Sequence, residues 1–589
     1  MKTLESWPLL SALVEIGELS LVDISLAREL LQNENSEALA ALITVLSLIS
    51  RRGHLCLKVE GQNIHPPLER LLTNPETKKT HKEIYKNLIL KAVSELPSFL
   101  CQDVMVSTET VSRPLCHFRS KSSHFLYFQR HWIEESQVIQ DLNRLEKHPP
   151  SIKVEEDVFS KKLEILVEKR ILLPEQASAV ACSCQQSLTL ISGGPGTGKT
   201  YTAGWIIRMI WESMTPEQQE CSEIMLAAPT GKAVANLQGS LERVIEGLEG
   251  LKSITAKTLH SSLKLRQGKT SATTPLSANI ILVDESSMID LRVLRTLLAS
   301  VLSGSRLILL GDPNQLPPVE SGSLFNDLIE LCESHKNHVA LSTCLRSDLQ
   351  SIVNFSKAIK TGDLRAAKNI LSEESQGIKR LSPETFTQET LVSYALQHFP
   401  KYGSELPSDQ ELLDAFNAFR LLSPIRHGPM GVETLNTVIA KRLMSKKHAN
   451  GMIIAPLMIV SNDYSLKLFN GEVGVLIKPH RQGEDILDFK KGDRVIFSGD
   501  TETAIREFPA LLLPRLELAY CLSIHKSQGS EFKHVLLLMP EGGSFFGREV
   551  LYTGVTRARK QVDLLCADSI LEKIISQPSS RLSGLLERV

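Results

Sequence analysis

Eight consecutive residues, Gly193-Gly194-Pro195-Gly196-Thr197-Gly198-Lys199-Thr200, fit the pattern G-x-x-x-x-G-K-[ST]. Glycines in such a loop let backbone N–H groups curl around phosphate oxygens. Lys199 is then placed to reach the β- and γ-phosphates, and the Thr200 hydroxyl to ligate Mg²⁺. A second set closes an apolar run, Ile280-Ile281-Leu282-Val283-Asp284-Glu285. Beside a phosphate loop, Asp284 suits a Mg²⁺ ligand and Glu285 a base that polarises water. Gly311-Asp312-Pro313-Asn314-Gln315 offers Gln315 as a hydrogen-bond partner for a γ-phosphate, although by itself the stretch is a Pro-rich turn. Upstream, Gln176 in Leu173-Pro174-Glu175-Gln176 can both donate to and accept from the Hoogsteen edge of adenine, or simply be solvated. Downstream, Leu551-Tyr552-Thr553-Gly554-Val555-Thr556-Arg557-Ala558-Arg559 presents Arg557 as a candidate arginine finger, and either arginine equally as a surface ion pair. Ala227-Ala228-Pro229-Thr230-Gly231-Lys232-Ala233 offers N–H groups, Thr230 and Lys232 to a backbone phosphate, with helix capping by Thr230 as the alternative.

These side chains need a scaffold that holds loops at strand ends. Leu188-Thr189-Leu190-Ile191-Ser192 is a short apolar run before the Gly-rich loop, and Tyr201 to Trp211 carries a helical pattern after it. The β-rich runs 224–228, 279–283, 306–310 and 535–539 alternate with helical stretches, and each ends at small or polar residues. That alternation predicts an α/β fold with parallel sheets covered by helices, and such sheets bind ligands at the carboxyl ends of their strands. From 451 to 515 the texture changes to short strands with turns at Asn470-Gly471 and Lys491-Gly492-Asp493, which predicts a small inserted β-barrel. Residues 1–110 read as short amphipathic helices, a domain for packing or partner contact. Residues 111–150 read as a linker with a hairpin near Phe118, Phe125 and Phe128.

The totals exclude several classes. With 66 Lys plus Arg against 67 Asp plus Glu in 589 residues there is no global basic footprint, so a nucleic acid must be gripped by a local groove. The ten cysteines show no zinc-ligand spacing and fit a reducing compartment. Glu5, Glu15 and Glu18 break any signal-peptide core, and the longest apolar stretch, 38–49, is too short to span a bilayer. The expectation is a cytoplasmic protein.

In this order, Gln176, the Gly193–Thr200 loop, Ala228-Pro229-Thr230-Gly231-Lys232, Asp284-Glu285, Gly311-Asp312-x-x-Gln315, His525-Lys526-Ser527-Gln528-Gly529 and Thr556-Arg557-Ala558-Arg559 resemble the successive motifs of superfamily 1 helicases. The closer resemblance is to the superfamily 1B family of RecD subunits of exodeoxyribonuclease V. It rests on Asp284-Glu285-Ser286-Ser287-Met288-Ile289-Asp290, Arg426-His427-Gly428-Pro429-Met430-Gly431-Val432, Leu468-Phe469-Asn470-Gly471-Glu472 and, in the partner-binding first domain, Arg52-Gly53-His54-Leu55-Cys56-Leu57. The resemblance implies two RecA-like lobes, 151–345 and 346–450 with 516–589, sandwiching ATP and Mg²⁺, and an SH3-like barrel inserted between. It implies 5′→3′ DNA helicase activity, a second phosphate finger at Arg346, and DNA contacts at Thr230, Thr258, His260, Ser423 and His525. It also implies RecB-like (helicase–nuclease) and RecC-like (Chi-reading) partner subunits in a complex for recombinational repair of double-strand breaks. The sequence departs from the family at Leu345, where an aromatic residue usually precedes the arginine. No acidic cluster with a partnering lysine marks a nuclease in the chain itself. A stand-alone helicase, or a scaffold whose ATP site only locks an assembly, stays open on the residues alone.

Overall fold

The computed structural model describes residues 6–32, 34–106, 108, 110–251, 254–265, 274–318, 320–344, 350–373, 377–400, 406–444, 451–463, 465–481, 483–499, 504–542, 547–577 and 581–589. Two parallel sheets dominate it. In the first, six strands run in the order His338–Leu341, Leu188–Gly193, Arg306–Gly311, Ile280–Val283, Ile224–Ala228, Lys257–Thr258, all parallel. In the second, five run in the order Ile378–Leu381, Ala558–Cys566, Phe532–Met539, Phe419–Ser423, Cys521–Ser523, again parallel. The α/β architecture expected from the alternating texture is the one observed.

Why the strand before the Gly-rich loop is central follows from its residues. All six residues of Leu188–Gly193 are buried, so both faces must be covered, as parallel sheets require. Leu188 and Leu190 face one layer, with Trp132, Leu142, Leu145, Leu294 and Leu297. Ile191 faces the other, with Ala179, Val180, Ile206, Ile207 and Ile210. Each such fully buried aliphatic side chain contributes about 1.5–3 kcal/mol, which anchors the strand end from which the loop springs. The helix Gln129–Lys147 thus belongs to the covering layer of the first sheet, and the region around residue 150 is continuous with it.

The first region is helical as expected, with Glu37–Arg51 buried from Ala38 through Ile49. It also carries a five-stranded sheet that the sequence reading did not foresee, in the order Asn63–His65, Cys56–Glu60, Ser123–Phe128, Leu115–Ser120, Cys101–Val104. The hairpin expected near 118–128 is therefore part of that sheet rather than a linker. The strands at its edges are three and four residues long, too short for a period-2 signal, and Cys56–Glu60 pairs with Ser123–Phe128 across more than sixty intervening residues.

Residues 452–518 form an antiparallel sheet in the order Ile505–Pro509, Arg494–Ser498, Val473–Pro479, Met452–Ile459, Leu516–Leu518. The inserted β element expected at 451–515 is this sheet, but in place of the closed barrel expected there the described strand pairings leave Ile505–Pro509 and Leu516–Leu518 as two edges. Its inner face shares a core with the second parallel sheet, where Leu457, Leu476 and Phe497 meet Leu421, Leu536 and Leu538. No described helix is long and apolar enough to cross a membrane.

Candidate active site where the two parallel sheets meet

The Gly-rich loop leaves the strand at Gly193 and enters the helix Lys199–Glu212 through Gly198. Gly196 and Gly198 have φ of +78° and +80°, a left-handed conformation that L side chains adopt only with strain. Lys199 is largely buried, and its Nζ donates to the carbonyl oxygens of Gly193 (2.6 Å) and Gly194 (3.2 Å). Thr197 Oγ1 donates to Gly194 O at 2.9 Å, closing the loop on itself. Gln176 sits behind this loop. Its Oε1 accepts Leu173 N–H at 3.0 Å and its Nε2 donates to Thr197 O at 3.3 Å, so the amide ties the helix Pro174–Gln185 to the phosphate loop.

Thr200 and Asp284 come together from neighbouring elements, Thr200 Oγ1 donating to Asp284 Oδ2 at 3.0 Å. A hydroxyl and a carboxylate at that separation form a hard-oxygen pair of the kind Mg²⁺ takes. Asp284 Oδ1 accepts Glu285 N–H at 2.8 Å, which turns the chain so that Glu285 has φ of +52°. A non-glycine residue held there stores roughly 1–2 kcal/mol of backbone strain. Burial pushes both carboxyls above their ordinary range. For Glu285 the charge of Asp284 adds to the rise, and Lys199 and Arg557 oppose it. Glu285 Oε2 is buried with no hydrogen-bond partner among the described residues, and so is Gln315 Oε1. Both side chains neighbour Asp312, whose charge reaches Glu285 and whose Oδ2 accepts Gln315 Nε2, and two orphaned acceptors there have the chemistry needed to orient a water molecule.

The far wall comes from the second sheet. Arg557 is 4 % exposed and is held by three acceptors: Thr553 O at 3.1 Å, Ser530 O at 3.2 Å and Thr556 Oγ1 at 3.4 Å. Arg559, by contrast, is exposed and pairs with Glu531 at 2.9 Å, the surface ion pair weighed from the sequence. Cross-sheet bonds lock the two walls. Leu316 N–H donates to Thr553 Oγ1 (2.9 Å), Gln528 Nε2 to Leu316 O (3.0 Å), and Lys232 Nζ to Ser530 Oγ (2.9 Å). Lys232 keeps part of its side chain in solvent, but desolvation around its ammonium between the two sheets, with Arg420 nearby, pulls it down to about 8. Phe469 of the antiparallel sheet packs on Gly231, leaving no room for a side chain at that position.

Of the residues expected from the sequence, Lys199, Thr200, Asp284, Glu285, Gln315 and Arg557 converge, while Arg346 lies outside the described residues. The five residues expected to meet DNA cluster at the carboxyl ends of strands but differ in what they expose. Thr230 and Thr258 cap helices, accepting Ala233 N–H (3.2 Å) and Ser261 N–H (3.3 Å). His260 is exposed. Ser423 is fully buried and donates to Met430 O at 2.8 Å, so its hydroxyl positions backbone rather than facing outward. His525 is mostly enclosed, and burial, with Arg581 nearby, pulls its imidazole down to about 4. Asp312, Gln528, Tyr552 and Thr553 stand in or beside the recognised runs, but their pairings carry no spacing signal, because each reaches across more than two hundred residues.

Residues 15–121 match the family described as RecBCD enzyme subunit RecD, N-terminal domain; residues 171–378 match the AAA domain and 518–565 the UvrD-like helicase C-terminal domain. The RecBCD enzyme subunit RecD of Mycolicibacterium smegmatis is 32% identical over 483 residues, covering 79% of this chain and 82% of that protein. This chain belongs to the RecD family. The ATP-dependent RecD2 DNA helicase of Deinococcus radiodurans is 28% identical over 432 residues, 71% of this chain and 52% of that protein. The crystal structure of Pif1 helicase from Candida albicans aligns with a TM-score of 0.40 at 17% identity, covering 68% of this chain and 95% of that one. The matched RecD segment holds four of the five strands of the first-region sheet and ends just before Ser123–Phe128; the AAA segment spans the whole first parallel sheet, and the UvrD-like segment covers Cys521–Ser523, Phe532–Met539 and nearly all of Ala558–Cys566 of the second.

Proposed function

We propose that this RecD-family chain is an ATP-driven DNA helicase moving 5′→3′, with ATP bound between lobe 1 (151–345) and lobe 2 (346–450 and 516–589). The observation that carries this reading is the convergence of Lys199, Thr200, Asp284 and Glu285 with Arg557 across the two parallel sheets. Lys199 meets the β- and γ-phosphates, and Arg557 meets the charge that develops on the transferred phosphoryl group. Thr200 and Asp284 would hold Mg²⁺, which would supply positive charge to offset the phosphates. Glu285 Oε2 and Gln315 Oε1 orient the attacking water. Its oxygen bonds to the γ-phosphorus as the bond to the ADP oxygen breaks, and Glu285 takes its proton. The raised affinity of Glu285 for protons suits that task.

Hydrolysis changes what the second lobe's arginine has to hold, and so alternates the grip of the two lobes on a strand running past Thr230, Thr258, His260 and His525. Polar contacts to backbone phosphates suit a motor that ignores sequence. In the cell the chain works with RecB-like and RecC-like subunits on duplex ends during double-strand break repair. This partnership is supported by the match to a RecBCD subunit along most of the chain.

Lys199→Gln tests the site. DNA-stimulated ATP hydrolysis is expected to vanish, because the triphosphate loses its main cation, and near-normal turnover would refute the assignment. Unwinding of 5′-tailed but not 3′-tailed duplexes by the chain, alone or with its partner subunits, tests the polarity.

A further inference from the structure

Tyr552 lies on the helix Gly547–Val555 of the second lobe, yet its hydroxyl ends inside the first. Its OH donates to Asp312 Oδ2 at 3.0 Å in a fully buried contact. The same Asp312 oxygen accepts Gln315 Nε2 at 3.4 Å, the long arm of the set. The other, Oδ1, accepts Asn314 N–H at 3.0 Å, which holds the turn in place. Asp312 is fully buried, and its charge is felt at Glu285. The Tyr552 hydroxyl also stands 3.0 Å from where a side chain on Gly194 would begin, so the tyrosine reaches up to the phosphate loop and a Cβ there would crowd it.

A buried carboxylate needs donors. Asp312 has one strong side-chain donor from the opposite lobe, and removing it would leave Oδ2 with only the long contact from Gln315 Nε2, while Oδ1 keeps Asn314, whose Nδ2 also donates at 3.4 Å. The amide of Gln315 is anchored at one end by this carboxylate, and its orphaned Oε1 is left at the other end for the water. We infer that Tyr552 is a positioning residue for ATP hydrolysis: its cross-lobe hydrogen bond fixes Asp312 and thereby aims Gln315, so that the water is oriented only when the second lobe is seated. This rests on the ATP-site reading above. It adds a device by which lobe closure, rather than nucleotide binding alone, licenses the chemical step.

The test is a double-mutant cycle of Tyr552→Phe and Asp312→Asn, read as kcat and KM for DNA-stimulated ATP hydrolysis, with Lys199→Gln as reference. Phenylalanine keeps the ring that packs in the second lobe and removes only the donor. Tyr552→Phe is expected to lower kcat roughly tenfold or more, the worth of a hydrogen bond to a charged group, with KM for ATP within about twofold. The double variant is expected to be no slower than Asp312→Asn alone, since the two residues act as one unit. Should Tyr552→Phe lose fold, Asp312→Asn with its KM unchanged and kcat reduced carries the same test. A raised KM at unchanged kcat, full activity of Tyr552→Phe, or losses that multiply in the double variant would each overturn the inference. If Lys199→Gln is dead while Tyr552→Phe is fully active, this inference fails and the ATP site stands. If Lys199→Gln is active, the site reading itself fails.

Discussion

The last nine residues of the chain leave the second lobe and run back over the first region, and Arg588 is their anchor. Its Nη1 pairs with Glu135 Oε2 at 2.7 Å with both side chains wholly inaccessible, its guanidinium lies 3.5 Å from the Trp132 ring centre, and Nη2 donates to Ser136 Oγ. Glu135 uses its other oxygen to accept Gly584 N–H at 3.1 Å. Arg588→Ala therefore leaves a buried carboxylate with its principal counter-charge gone, which costs about 3–5 kcal/mol for a pair of this kind. Because the tail is held by a few local bonds, most of that cost should fall on its own opening rather than on global unfolding. The readout is amide hydrogen exchange at Leu582, bonded to His54 Nδ1 (2.9 Å), at Gly584, and at Leu55, bonded to Leu582 O (2.9 Å). Protection at these amides should fall by roughly 100- to 5,000-fold, from 1.36 kcal/mol per decade. Arg588→Met with Glu135→Leu, which removes both charges, should recover most of it, since apolar replacement of a buried pair is often neutral. Protection within about threefold of the parent in Arg588→Ala would refute the claim that this pair holds the tail.

Two further outcomes are expected. Glu285→Gln should bind ATP but hydrolyse it roughly 100- to 10,000-fold more slowly in a steady-state assay, the usual contribution of a general base; a rate within about threefold would remove Glu285 from that role. Burial raises the Asp327 carboxyl to about 7, although it accepts Ser583 Oγ at 2.6 Å. Its folded state then binds more protons than the unfolded chain between about pH 4 and 7, so this group withdraws stability as pH rises through that window. In denaturant melts, the advantage of Asp327→Asn over the parent should grow from pH 4 to pH 7, and a pH-independent difference would refute the shift.

What was legible in the sequence was local chemistry. The Gly-rich loop, the acids that end Ile280–Val283, and Arg557 each declare themselves within about ten residues, because a strand, a turn and a helix have to follow one another to aim a side chain. The parallel sheets were legible for the same reason. What was not legible was the set of partners that cross the two sheets. Tyr552 and Asp312 are 240 residues apart, and Leu316 and Thr553 237. Neither pair has a spacing that any single-chain pattern encodes. Gln176 was placed correctly on the helix that begins at Pro174, but the structure shows its amide engaged with Leu173 and Thr197. Ser423 was expected to contact DNA from the resemblance; the turn that follows consumes its hydroxyl. The first-region sheet escaped because its shortest strands leave only a residue or two on each face.

The tail and the active site are parts of one mechanical problem. Arg581 donates to Glu320 O at 2.6 Å in the first lobe and lies against Gly53 of the first region, and its charge reaches both His54 and His525. Burial lowers its own guanidinium to about 10. One side chain near the end of the second lobe thus touches the first lobe and the first region, and its charge reaches the loop that carries His525. A second lobe that rocks about the nucleotide has to do so against this fastening, while Tyr552, Thr553 and Gln528 register its seating at Asp312 and Leu316. On the proposed mechanism the tail would limit how far the lobes separate, and the cross-lobe hydrogen bonds would set where they close. Loosening the first should therefore change how DNA contact and ATP turnover are coupled without touching the residues that perform hydrolysis. Breaking the second should slow hydrolysis while DNA and ATP still bind.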